Sequence, residues 1–139
     1  MPLITRWWIK LALVYLVAAL GLGLVLAARA VMSLPPLVAA FGPVYFHVFL
    51  VGWVTQLIFG VAYWMFPKYS KERPRGSETL AVATMALLNV GLLVRAVAEP
   101  LNALHPGAIW GRLLVFSAIL QWLAGLGFVA NTWGRVKEK

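Results

Sequence analysis

The sequence predicts an all-α integral membrane protein, a four-helix bundle with both termini cytoplasmic. Three observations carry that reading. Of the 139 residues, 63% are hydrophobic and 12% charged, against roughly 45 to 50% apolar and about 25% charged in an ordinary soluble domain. The apolar residues form four runs, Trp8 to Val31, Pro43 to Phe66, Thr79 to Ala98 and Ile109 to Thr132. Each is near the ~20 residues that a helix rising ~1.5 Å per residue needs to cross ~30 Å of hydrocarbon. The basic residues are sorted by position. Arg6, Lys10, Lys68, Lys71, Arg73, Arg75, Arg135, Lys137 and Lys139 flank one set of span ends, which the positive-inside rule assigns to the cytoplasm. Arg29, Arg95 and Arg112 fall at the opposite boundary.

The first run is too long, and its flanks too unlike a cleavage region, for a removed signal peptide, so it is expected to stay as helix one. "SLPPLVAAFGP" is a Pro/Gly-punctuated outer connection, and Pro43 suits an early position of helix two. "PKYSKERPRGSE" is a polar inner hairpin that ends with Ser77 as N-cap of helix three. "EPLNALHPGA" leads out of helix three into helix four. Little sequence is left over, so residues 1–139 read as one four-span domain, expected in a prokaryotic inner (plasma) membrane. Trp7, Trp8, Trp64, Tyr69 and Trp133 on the inside, and Tyr45 and Trp110 on the outside, have the placement of interfacial anchors; Trp53 and Trp122 lie deep. Gly21, Gly23, Gly52, Gly60, Gly91, Gly125 and Gly127 permit close helix packing, with Gly52 and Gly60 able instead to make room for a flat ligand.

Composition also excludes chemistry. The net charge of +8 follows topology rather than a binding face, which argues against nucleic acid as a partner. The absence of cysteine removes disulfides, iron–sulfur clusters, thiolate zinc, cysteine nucleophiles and covalent haem attachment through C-x-x-C-H. Thr55, Gln56, Thr84, Asn89, Ser117 and Gln121 are uncharged polar residues inside the spans, and interhelical hydrogen bonding accounts for them. They are too few to line a channel.

His47 stands apart. Four residues past Pro43, it lies ~6 Å along the helix from the outer end of span two. A neutral imidazole there can donate to a carbonyl and remain structural, or offer its other nitrogen to a metal. Arg95 has Glu99 at i+4 for an ion pair, yet one acid cannot neutralise three bases. Anionic lipid headgroups are one partner for Arg29, Arg95 and Arg112. The propionates of a haem are another, and their shared depth with a histidine favours haem.

The stretch "FHVFLVGWVTQLIFGVAYWMFPKYS" resembles the second transmembrane helix of subunit I in the haem-copper oxidase and nitric oxide reductase superfamily. The shared pattern is an outer histidine, the pair Gly52–Trp53, the Ile58 to Gly60 step and Pro67 before a basic loop. The resemblance implies that His47 is an axial ligand of a non-covalent haem b, with Tyr45, Phe46, Phe49 and Trp53 around the porphyrin. Family subunits have about twelve helices in three four-helix arcs, and this chain is one arc long. With only His47 and His105 it has no copper triad, so no independent oxygen or nitric oxide reduction is expected. The second axial ligand is either His105 or His47 of a second copy, and the second favours a homodimer. The expected activity is one-electron transfer, with a quinol or a respiratory-chain subunit as partner. The alternatives are a haem-based sensor of a diatomic gas and a cofactor-free structural or assembly subunit of a respiratory membrane complex.

Overall fold

The computed structural model of the chain describes residues 1–71 and 73–136, so Lys137 and Lys139 lie outside the described residues. Among the described residues all regular structure is helical, and four helical segments are long and apolar enough to cross a membrane. Helix α1 spans Leu3–Ala28. The second span is divided into α2 (Pro36–Ala40), α3 (Gly42–His47), a π-helix (Val48–Thr55) and α4 (Gln56–Met65). Helix α5 spans Glu78–Leu104, and α6 (Ala108–Thr132) runs into a 3₁₀ turn, Trp133–Arg135.

Local chemistry sets these boundaries. Pro36 and Pro43 occupy the first turns of α2 and α3, where a missing N–H costs nothing. Phe66 ends α4 in an extended conformation because it precedes Pro67. Ser77 caps α5 as expected, its Oγ accepting from the Leu80 N–H at 3.2 Å. Gly76 precedes it with φ of 78°, a conformation that glycine adopts without the steric cost a Cβ would add. Asn131 of α6 clamps this turn: its Oδ1 accepts from the Ser77 N–H at 2.8 Å and its Nδ2 donates to the Ser77 carbonyl at 3.1 Å. Helix α5 runs past the expected end at Ala98 and carries Pro100 in its interior. Proline is tolerated there where neighbouring groups re-satisfy the backbone it frees.

The helices pack as two antiparallel pairs, α1 against the π-helix and α4, and α5 against α6. Phe59 and Phe128 stack with ring centroids 3.8 Å apart and join the pairs. Pro2, Tyr63 and the 73–79 segment line one cavity, which brings the N-terminus to the same end as the second connection. A core that begins at that end gathers Ile4, Trp8, Tyr63 and Ala81 and reaches Leu88 and Ala124 near mid-span. Trp8 is therefore not an interfacial anchor. Only 2% exposed, it lies edge-on to Phe59 and fills the space that Gly60 leaves open. Tyr15 does the same at Gly52. Both glycines serve helix contact, and the room expected for a flat ligand is taken by α1. Gly21 and Gly125 face open space and contribute no packing within the chain. Trp122 also points out of the bundle.

Candidate functional site

The π-helix decides which polar groups of the second span can meet α5. His47 and Gln56 are nine residues apart, which at ~100° per residue would put them on opposite faces of an α-helix. Bonding to the fifth residue widens the turn to roughly 80° per residue and returns the two side chains to one face. The Thr55 hydroxyl follows the same spacing and donates to the Leu50 carbonyl at 2.9 Å. Both residues consequently reach α5. Gln56 Oε1 accepts from Asn89 Nδ2 at 2.8 Å near mid-span, and His47 meets Arg95 and Glu99 toward the end of the bundle opposite the N-terminus.

At His47, Nδ1 lies 2.9 Å from the Pro43 carbonyl, and Nη1 of Arg95 lies 3.1 Å from Nε2. The tautomer that satisfies both contacts is neutral, with Nδ1–H donating and the Nε2 lone pair accepting. Glu99 completes the cluster. Its Oε1 accepts from Arg95 Nη1 at 3.2 Å, and its Oε2 lies 3.3 Å from His47 Nδ1 without a hydrogen bond, the ring proton being directed to Pro43. Arg95 Nε donates to Ser117 Oγ at 3.3 Å, Ser117 donates to the Gly91 carbonyl at 2.7 Å, and Gln121 Nε2 donates to Ser117 at 3.1 Å. Arg95 and Glu99 are mostly buried, while the His47 side chain keeps 30% of its surface. A buried guanidinium thus has a carboxylate, a hydroxyl and an imidazole as partners, which is the condition for keeping a charge in such a place.

The structure brings together only some of the residues that the sequence singles out. Tyr45 packs on Gly23 of α1 and on the ring of Phe49, and Phe49 meets Trp53 edge-on, so three of the four expected aromatic residues form an internal row. Phe46 is 60% exposed beside His47. Arg29 and Arg112 are exposed and make no ion pair among the described residues. His105 is exposed at the end of α5, and no hydrogen bond joins it to His47. Glu99 is the residue whose role beside His47 goes unrecognised in the sequence, where its spacing from Arg95 was its only signal. Among the described residues no group of three or more His, Asp or Glu converges as a metal site.

Comparisons with protein-family models, with curated proteins and with solved structures return no match.

Proposed function

We propose that the chain is a multi-pass membrane protein that binds a b-type haem through His47 and serves one-electron transfer as a homodimer. Its termini lie in the cytoplasm and its His47 end faces outward, as the distribution of lysine and arginine supports. The observation that carries the reading is the Nδ1 contact to the Pro43 carbonyl. It places the lone pair on Nε2 and orients the ring, as the outer hydrogen bond of a metal-ligating histidine does.

His47 would hold the iron of such a haem through Nε2, the ring nitrogen that carries the lone pair when Nδ1–H donates to the Pro43 carbonyl. A bound haem supplies one-electron oxidation and reduction of its iron. Arg95 now holds the same lone pair, so ligation requires it to release Nε2, and Glu99 and Ser117 keep its charge compensated when it does. Arg29 and Arg112, exposed toward the same end, are positioned by sequence to pair with propionates. Phe46 adds apolar surface at the bundle exterior. His47 of a second copy, or His105, would supply the other ligand to the iron.

Reduced-minus-oxidised spectra of the full chain purified from haem-replete cells test this. The expected result is a b-type spectrum that His47→Ala abolishes, with one haem per two chains. A colourless wild-type protein defeats the reading, and a spectrum indifferent to His47→Ala removes His47 as the ligand.

A second reading is favoured by the Arg95 to Nε2 contact itself. In it the cluster is a closed, cofactor-free brace in a structural or assembly subunit. That reading expects no colour and a loss of stability in His47→Ala.

A further inference from the structure

The terminus end of the bundle holds a second buried cation. Arg135 is 1% exposed. Its Nε donates to the Pro67 carbonyl at 3.0 Å and its Nη2 to the Phe66 carbonyl at 2.7 Å. Its guanidinium carbon lies 5.7 Å from the ring centroid of Tyr63 and 6.0 Å from that of Phe66. The two carbonyls belong to the close of α4, where the helix dipole is negative. All these partners are neutral. Among the described residues no carboxylate pairs with Arg135, and its Nη1 has no hydrogen-bond partner.

Beside it lies a cavity of about 300 Å³. Arg135, Arg75 and Lys68 line it together with Pro67, Trp64 and Met65, and among the described residues no acidic one does. Glu78 lines the neighbouring cavity instead. Trp64 and Met65 are exposed apolar side chains at the end of a membrane-spanning helix, so this cavity adjoins lipid. Three cations around one hollow repel one another, and the buried one has no counter-ion among the described residues. An anion in the hollow lowers both costs, because its attraction to the delocalised guanidinium charge is strong in low-dielectric surroundings without direct contact with Nη1.

We propose that Arg135, Arg75 and Lys68 form a binding site for a phosphate anion, supplied by a phospholipid headgroup or by free phosphate. Arg135 is its fixed member, held by the α4 carbonyls, and Lys68 and Arg75 are its adjustable rim. Basic pockets between membrane helices take anionic headgroups by the same electrostatics.

The full-length chain in detergent is titrated with phosphatidylglycerol, phosphatidylcholine and inorganic phosphate. Bound lipid is counted by native mass spectrometry and the unfolding temperature is recorded. One phosphatidylglycerol is expected per chain, bound at least about tenfold more tightly than phosphatidylcholine, whose choline cation opposes the site. An equal rise in unfolding temperature with inorganic phosphate assigns the site to the free anion instead, within the same chemistry. Arg75→Gln with Lys68→Gln should weaken binding at least about tenfold without lowering the anion-free unfolding temperature, since neither side chain makes a hydrogen bond or ion pair among the described residues and their removal relieves repulsion on Arg135. Arg135→Gln, which also loses the carbonyl bonds, should abolish binding. Equal retention of both lipids with no response to phosphate, or undiminished binding in the double variant, overturns the proposal.

Discussion

Arg95 Nη1 lies 3.1 Å from Nε2 of His47 and bridges that ring to Glu99, 3.2 Å away on its own helix. One guanidinium therefore ties the second span to α5 at the level where the backbone changes from α3 to the π-helix. Arg95→Met removes the cation and leaves the Glu99 carboxylate uncompensated in a mostly buried place. The expected loss in unfolding free energy is about 1 to 3 kcal/mol, below the range for a fully buried pair because both groups retain some exposure. Adding Glu99→Gln should recover part of it, which detergent unfolding of the single and double variants measures.

Gln56→Leu makes the opposite case. Gln56 contributes one neutral hydrogen bond to Asn89, and Asn89 keeps its second contact, with the Met85 carbonyl at 2.8 Å. The same assay should show a loss of only about 0.6 kcal/mol, the typical size of a hydrogen bond between membrane helices.

Close packing separates two glycines that look alike in sequence. A Cβ at Gly60 would sit 2.6 Å from Trp8 Cβ, whereas one at Gly125 would meet nothing within 4 Å. Gly60→Ala should force α1 off α4 at a cost of about 1 to 3 kcal/mol. Gly125→Ala should be neutral or stabilising by up to about 1 kcal/mol, since alanine favours the helix.

The clamp at the start of α5 yields a coupled prediction. Gly76→Ala places a methyl in a left-handed conformation and 2.5 Å from Asn131 Oδ1, which should cost about 1 to 2 kcal/mol. Asn131→Ala loses two hydrogen bonds and should cost about 1 kcal/mol, the backbone groups it frees being near water. Because the two positions touch, the double variant should lose less than the sum, and a double-mutant cycle reads the difference.

The four spans were legible because hydropathy alone finds apolar runs of sufficient length, and Ser77 was legible as a cap because its side chain acts on its own helix. The Arg95–Glu99 and Ser117–Gln121 pairs followed from i, i+4 spacing. What escaped depended on a second helix. Trp8 resembles an interfacial tryptophan until Gly60 is seen to leave it a slot, and Glu99 looks like the partner of Arg95 alone until the second span brings in His47. The end of α5 escaped because Pro100 ordinarily argues for a boundary. The π-helix had no signature in the residues between Val48 and Thr55.

That π-helix stores length. On an ordinary α-helix, two side chains reach the same neighbour when they are seven residues apart, yet His47 and Gln56 do so at nine. The span therefore contains two residues more than its contacts with α5 require. A chain shortened by two residues within Val48–Thr55 could close the turn back to α-helical bonding and still present both polar groups to Arg95 and Asn89. A chain shortened by one would turn Gln56 away from its partner.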